Sequence, residues 1–468
     1  MSATFGTLIM IVKKNQILNI ILLLLFKAFL EVLYVKFVYE FFSYAGYGLN
    51  INITKLFESY FLIILLYLML PEDDDVPSKI VLKLLFLFMV VPFCSFYALT
   101  DKERSYFYFF VISFVLTMVV RTIIPAARIK KLQYGSIAMY AFVTFVSLIV
   151  LSVLIKENGL PTFKAFNLAA VYEVRGEAER GSQLINYMIG WLACAINTFL
   201  IGLACYQKRY FRLLIPLGVQ LILYAYLAQK SFLFTPLAIV CLFIAVRSKN
   251  LSRTILIVLV LSLSILYAFR GEDIVKFPAS LLVRRVFFVP ANVTYNYYDY
   301  FSKNEFVFMS NSKITLGLID TPYKESGVAI ANLMGLTYAE NINTYMNTGY
   351  LGNAYMQFGF AGMLSFSFIL GLVLVFVDSC AKNIDVGLAL SAVIIPLQKL
   401  SNTALFSSFL SNGLLIGMMM LWLYEERSSI LAFKYWLSRH ILYNPHPKKS
   451  DAYSEHAHRF LGIAKGCR

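Results

Sequence analysis

Long apolar runs separated by short polar connections dominate the chain. Runs of about 17 to 25 residues, each long enough to cross a bilayer as a helix, recur from Ile17 to Tyr424. They lack the period-two alternation of a membrane barrel, and a backbone in lipid must satisfy its own hydrogen bonds. The pattern therefore predicts an all-α polytopic membrane protein, a single membrane domain over residues 1–468 with about twelve transmembrane helices. These helices are expected near residues 17–42, 55–71, 80–100, 105–124, 136–155, 184–206, 213–228, 232–246, 254–269, 359–377, 386–399 and 409–424.

Basic residues in the short connections set the predicted orientation, because cytoplasmic loops of membrane proteins are enriched in lysine and arginine. The basic clusters fall on one side if both termini are cytoplasmic, with residues 425–468 as a basic cytoplasmic tail. Two long segments, residues 156–183 and residues 270–349, then lie outside, and we expect the second to be one loop carrying short helices at the membrane surface. The clusters are Lys13 and Lys14, then Arg128, Lys130 and Lys131, then Lys208, Arg209 and Arg212, and then Arg247, Lys249 and Arg253.

Composition and charge exclude several classes of protein. Hydrophobic residues make up 59% of the chain and charged residues 14%, which does not fit an ordinary soluble domain. The net charge of +15 could indicate nucleic-acid binding, but the basic residues mostly occupy short connections between helices, so membrane topology explains it and no nucleic-acid partner is predicted.

None of the six cysteines falls in a predicted outer segment, so no disulfide framework is implied.

The first predicted outer loop carries two arginines that each precede a glycine. Residues 171–181 read Val-Tyr-Glu-Val-Arg-Gly-Glu-Ala-Glu-Arg-Gly, with Arg175 and Arg180 among three glutamates. Glycine lets the backbone approach a phosphate closely while the guanidinium binds two of its oxygens. The alternative is a solvated loop in which these charges pair with one another.

The second predicted outer loop opens on adjacent arginines in an apolar setting. Residues 281–290 read Leu-Leu-Val-Arg-Arg-Val-Phe-Phe-Val-Pro, and Arg284 and Arg285 suit a lipid-linked diphosphate at the membrane boundary. Tyrosines follow at 295, 297, 298 and 300 and offer flat faces to sugar rings. The alternative is an interfacial belt that anchors helices at headgroup depth. Lys230, in the tight turn Gln-Lys-Ser between two predicted helices, either reaches the same phosphate or marks a helix end.

The same loop closes on a glycine-rich segment that carries a resemblance. Residues 347–362 read Asn-Thr-Gly-Tyr-Leu-Gly-Asn-Ala-Tyr-Met-Gln-Phe-Gly-Phe-Ala-Gly, and the glycines by themselves explain close helix packing. Together with the Arg-Arg-hydrophobic-Pro opening, the Arg-Gly loop and the Lys-Ser turn, this segment resembles the O-antigen and capsule repeat-unit polymerases, often called Wzy. The arginine-to-glycine spacing of about ten residues found in some members is not matched at Arg175, Arg180, Arg284 or Arg285.

The resemblance implies a metal-independent, GT-C-like glycosyltransferase that needs no cofactor. Such a polymerase of lipopolysaccharide or capsular polysaccharide biosynthesis sits in the bacterial inner (cytoplasmic) membrane. It uses undecaprenyl-diphosphate-linked oligosaccharides as both donor and acceptor, in contact with membrane lipids and with a chain-length-regulating co-polymerase as a further partner.

Roles for individual residues follow as hypotheses. The cations Arg175, Arg180 and Lys230, with Arg284 or Arg285, would bind the donor diphosphate and stabilise the charge that grows on it. Glu340 or Glu173 would act as the general base toward the acceptor hydroxyl. Substrate sugars would lie against the rings of Tyr295, Tyr298 and Tyr355.

Two competing functions stay open, a flippase for the same lipid-linked units and an O-antigen ligase. Transporters tend to show repeated halves and charges buried near the bilayer midplane, whereas in this sequence the polar residues lie mostly in the predicted outer segments and the two halves do not repeat. Ligases typically use an outer-loop histidine, whereas all four histidines lie beyond the last predicted helix. Their position also argues against a zinc site. A scaffold without chemistry of its own is the remaining alternative.

Two charged motifs inside or between the predicted helices have structural explanations as well as functional ones. Lys27 and Glu31 are four residues apart in the first helix and can pair across one turn, which indicates either a functional charge in the membrane or a helix packed inside the bundle. Residues 72–75, Glu-Asp-Asp-Asp, imitate a metal-binding carboxylate motif, but a short cytoplasmic turn is the preferred interpretation.

Overall fold

A computed structural model describes residues 14–425 of the chain apart from 168–169, 313–314, 316–317 and 325–326, and within these residues the secondary structure is entirely helical. The helices named below are, in chain order, α1 (Gln16–Ala45), α2 (Ile53–Met69), α3 (Pro77–Leu99), α4 (Arg104–Ile123), α5 (Gly135–Asn158), α6 (Val171–Glu177), α7 (Gln183–Tyr206), α8 (Tyr210–Leu227), α9 (Lys230–Ala245), α10 (Leu251–Ala268), α11 (Asp273–Ala279), α12 (Val289–Phe301), α13 (Ile330–Ala339), α14 (Tyr350–Ala381), α15 (Val386–Ser401) and α16 (Leu405–Leu423).

Each segment that the hydropathy pattern predicts to be a membrane helix is helical in the structure. Of the described helices, nine are long and apolar enough to cross a membrane, namely α1, α3, α4, α5, α7, α8, α10, α14 and α16. The helices α9 and α15 are apolar but shorter, and α2 has 17 residues. A multi-pass, all-α membrane architecture is therefore established, while the number of crossings stays a prediction.

The helix that was expected to begin near residue 359 begins earlier, at Tyr350. The glycine-rich segment 350–362 is helical too, and α14 is broken inside it, where Phe358 and Gly359 leave helical backbone angles. Gly359 has φ +62 and ψ −146, a combination that side chains with a Cβ rarely adopt, and an added Cβ would lie 2.9 Å from the ring of Phe306. The chain therefore bends at Gly359, the position at which the sequence predicts the membrane helix to begin.

The long segment 270–349 contains short helices, as predicted, but one of them is not on a surface. Residues 273–301 are continuously helical, with a π-helical stretch, Ser280–Phe288, joining α11 to α12. Most side chains of α12 are buried, and the helix packs along α14. The expectation of surface helices is wrong for α12, because its aromatic residues fill the space between α3, α4 and α14.

Two charged motifs predicted from the sequence have structural partners. Lys27 and Glu31 do form an ion pair, and Lys27 is fully buried, which favours packing inside the bundle. The Tyr60 hydroxyl donates a hydrogen bond to Glu31 over 2.8 Å, so the pair links α1 to α2.

In the acidic turn before α3, Asp74 pairs with Lys83 at 2.7 Å, and Asp75 pairs with Lys79 at 2.7 Å. Among the described residues, no group of three histidine, cysteine, aspartate or glutamate side chains could hold a metal. The turn is therefore held by lysines that follow it in α3. The predicted basic tail, residues 425–468, lies outside the described residues apart from Glu425.

Candidate functional site

Three separate parts of the chain meet at helix ends and enclose a cavity of about 750 Å³. They are α6 with the loop after it, the turn between α8 and α9, and the helical stretch 273–301, and the segment before α14 completes the wall. We call this space the arginine cavity, and it is lined by Val171, Arg175, Arg180, Gln229, Lys230, Ser231, Phe277, Ser280, Leu281, Arg284, Arg285, Tyr345 and Asn347. All five cations that the sequence predicts to bind the diphosphate therefore line this one cavity.

The first side of the wall is held by a tight turn. Ala228 ends α8 with a positive φ of 48°, and α9 begins two residues later at Lys230. Arg175 donates a hydrogen bond from Nη2 to the carbonyl oxygen of Ala228 over 3.0 Å, which ties α6 to this turn. The Lys230 ammonium lies 5.0 Å from the ring centroid of Phe277 on α11, within the range of a cation–π contact.

The π-helical stretch positions the other two arginines. Arg284 donates from Nε to the Ser280 hydroxyl over 3.3 Å, and its guanidinium lies 4.2 Å from the ring centroid of Phe42. Burial raises the pKa of Tyr47 to about 12, and the nearby positive charge of Arg284 opposes the rise. These contacts orient Arg284 and leave donor groups for a ligand, because a guanidinium has five N–H donors.

The cavity carries uncompensated positive charge. Throughout the part of the chain that the structure describes, none of its five cations takes part in a salt bridge, and no carboxylate lines the wall. Burial and the neighbouring charge of Arg175 lower the pKa of Arg180, which nonetheless remains charged at neutral pH. Such a wall can bind an anion with several oxygens through charge-assisted hydrogen bonds.

Neither glutamate proposed as a general base reaches this cavity. Glu173 is exposed on α6. Side chains two positions apart on a helix point about 200° apart, so Glu173 points away from the wall that Arg175 lines. Glu340 follows the last residue of α13 with a positive φ of 50° and is also exposed. The geometry does not place either carboxylate beside the five cations.

The three tyrosines expected to hold sugars lie in a different place. Tyr295 is fully buried, its ring stacked on Phe93 at 4.5 Å between centroids, and Tyr298 stacks on Tyr106 at 4.4 Å. Tyr355 is 4% exposed and packs edge-on against Tyr106. These rings pack α3, α4, α12 and α14 together, and none of the three tyrosines lines the arginine cavity.

Several wall residues carry no signal in the sequence. Gln229 and Ser231 flank the lysine of the turn, and Tyr345 and Asn347 come from the segment just before α14. They are neutral, and Tyr345 and Asn347 lie outside the helices, so only the fold brings them to the cavity.

Comparison with models of known protein families gives no match, and comparison with curated proteins and with solved structures gives none either. The functional argument therefore depends on the residues of the cavity, their charge and the helices that position them.

Proposed function

We propose that the chain is a polymerase that joins undecaprenyl-diphosphate-linked oligosaccharide repeat units into O-antigen or capsular polysaccharide. The observation that carries this proposal is the arginine cavity: four arginines and one lysine from separate segments surround about 750 Å³ of space without a carboxylate in the described wall. A diphosphate brings several negative charges and many acceptor oxygens, and planar guanidinium groups bind such oxygens in pairs.

In this mechanism the bond between the donor sugar and its diphosphate breaks, and the electron pair stays on the diphosphate. Arg175, Arg180, Lys230, Arg284 and Arg285 stabilise that developing charge, the role that a metal ion has in other transferases. The acceptor hydroxyl oxygen forms the new bond to the sugar carbon, and its proton passes to solvent or to the departing diphosphate. The cavity wall thus stabilises the leaving group, and neither Glu173 nor Glu340 has a role in the proposed step.

The membrane setting supports a lipid-linked substrate. Exposed apolar side chains stand on α11 and at the end of α1 beside the cavity: Ile274 is 83% exposed, Phe277 48% and Phe41 44%. A polyprenyl tail would lie against these side chains while the diphosphate enters the cavity. In this proposal α2, α9 and α15 also cross the inner membrane, both termini are cytoplasmic and the cavity opens outside.

A lengthening assay tests the function. Purified full-length protein in lipid, given the lipid-linked repeat units of the strain that encodes it, should lengthen them in EDTA without any nucleotide sugar. The variant R284A R285A should lose most of this activity, whereas R270A should keep it, because Arg270 is an exposed arginine outside the cavity wall that packs on Tyr267. Movement of the units across the bilayer without lengthening would identify a flippase instead, and transfer to a lipid A core would identify a ligase.

A further inference from the structure

A second cavity adjoins the first and differs from it in chemistry. Its volume is about 370 Å³, and it shares Arg180 and Gln229 with the arginine cavity. We call it the amide cavity, because side-chain amides contribute much of its polar wall. Its lining comes from the loop before α7 and the first two turns of α7, from the turn between α8 and α9, from the last turn of α15, and from the break in α16 at Ser411 and Asn412.

Neutral hydrogen-bonding groups dominate the polar wall of the amide cavity. They are the amides of Asn186, Gln229 and Asn412 and the hydroxyls of Tyr187 and Ser411. Amides and hydroxyls both donate and accept, as sugar hydroxyl groups do, and a tyrosine ring offers an apolar face to a pyranose. The wall therefore suits a sugar.

Close helix packing makes this wall rigid. A Cβ added at Gly190 on α7 would lie 2.1 Å from the carbonyl oxygen of Ser411, so the glycine allows direct backbone contact. The neighbouring Trp191 donates from its indole nitrogen to the carbonyl oxygen of Leu410 over 2.6 Å. Asn186 and Asn412 are thus presented by two segments that are fixed against each other.

Lys399 adds a positive charge that a neutral sugar would not balance. Its ammonium lies 3.1 Å from the Cys194 sulfur and 3.2 Å from Oδ1 of Asn412, both uncharged partners, and it is partly buried. Of the described residues, no aspartate or glutamate lines this cavity. A partly buried ammonium without an anionic partner favours a ligand that brings negative charge.

We infer that the amide cavity is a glycan subsite for a sugar that carries a carboxylate, with Lys399 as the residue that selects the charge. This deepens the proposed function and rests on it: the repeat unit joined by this polymerase contains an acidic sugar, held beside the diphosphate. A second diphosphate is a poorer match, because its phosphate oxygens only accept hydrogen bonds and leave the accepting oxygens of the amides and hydroxyls in this wall without a partner.

Two matched probes test the inference on the purified full-length protein. Methyl β-D-glucuronide and methyl β-D-glucoside differ only in a carboxylate at C6, and their binding is measured by saturation-transfer NMR in lipid nanodiscs. We expect the glucuronide to bind about tenfold more tightly, the effect of one charge-assisted hydrogen bond. Equal binding of the two probes, or binding of neither, would overturn the inference without the need for any variant.

Variants then locate the binding. K399M should reduce glucuronide affinity to that of the glucoside, K399R should restore most of the preference, and R284A R285A should leave it intact. If instead R284A R285A abolishes glucuronide binding and K399M does not, the probe occupies the arginine cavity and the inference is wrong.

Pyrophosphate separates this inference from the proposed function. Pyrophosphate binding without a glucuronide preference overturns the subsite and leaves the polymerase proposal standing. A glucuronide preference without pyrophosphate binding overturns the polymerase proposal and leaves an acidic-sugar site.

Discussion

At the scale of single residues, Arg284 is held in the arginine cavity by two side-chain contacts. It stacks on Phe42, and its Nε donates to Ser280, so the orientation of its guanidinium is fixed before a ligand arrives. Preorganised donors stabilise a transition state without reorganising during the reaction. This is why we expect the geometry of the group, and not only its charge, to matter.

The substitution R284K should separate the two contributions. Lysine keeps the positive charge but loses the planar fork, so the rate of lengthening should fall about tenfold, whereas R284A should cost about 100-fold. Rates are measured on purified protein with lipid-linked units, at equal amounts of folded enzyme. An R284K rate equal to that of the native protein would show that charge alone suffices.

The two glutamates provide the opposite prediction. Glu173 and Glu340 are exposed and lie outside the arginine cavity, so E173Q and E340Q should each lengthen the repeat units at close to the native rate. The pH–rate profile of each variant should also superimpose on that of the native protein. A loss of about 100-fold in either variant, the scale of a missing general base, would restore that residue to the mechanism.

At the scale of helices, the sequence predicts elements far better than it predicts helix faces. The apolar segments could be located because a bilayer demands runs of a fixed length, and α3 and α7 lie within a few residues of their predicted bounds. The sequence could not predict that Tyr295 is buried, because an aromatic side chain can serve either packing or sugar binding. It also could not predict which side of α6 faces the cavity, and so whether Glu173 reaches it, because the fold sets the rotation of this short helix. The five cations were found because each lies in a recognisable local pattern: arginine before glycine, paired arginines in an apolar run, or a lysine in a tight turn between two helices.

The kink of α14 makes a prediction about stability. Gly359 has a backbone conformation that disfavours any other residue, and Phe306 lies against it, so G359A should lower the free energy of unfolding by about 1–3 kcal/mol. The control is G218A in α8, where no atom lies within 4 Å of the added methyl group and the helical alanine should be neutral or slightly stabilising. Both are compared by thermal unfolding in the same detergent, and equal stability of the two variants would contradict the proposed role of the kink.

At the scale of the whole molecule, the proposal requires two ends with different chemistry. The arginine cavity lies between the end of α8 and the start of α9, with α6, α11 and the π-helical stretch around it, whereas the opposite ends of α4, α9 and α14 carry paired charges. Arg121 there binds Asp378 at 3.1 Å, and Arg247 binds Asp385 at 3.1 Å. Ion pairs occur at the cavity end as well, for example Lys55 with Asp101 at 2.7 Å, but the five cations that line the arginine cavity have no carboxylate partner among the described residues.

The orientation predicted from the basic clusters can be measured. Lys303, after α12, and Lys249, before α10, are both exposed and lie on opposite sides in the predicted topology. In a chain with its native cysteines replaced by alanine, K303C should react with a membrane-impermeant maleimide added to intact cells from the outside, and K249C should react only after lysis. The reverse pattern would place the arginine cavity in the cytoplasm and end the proposal.

The central claim is that the arginine cavity binds a diphosphate without a metal ion, and calorimetric titration of the purified full-length protein with pyrophosphate in EDTA tests it most directly. The account predicts saturable binding that weakens at least about tenfold in R284A R285A, since each charge-assisted hydrogen bond is worth about 1.5–3 kcal/mol, and that is unchanged in R270A. No binding to the native protein, or equal weakening in both variants, would contradict it.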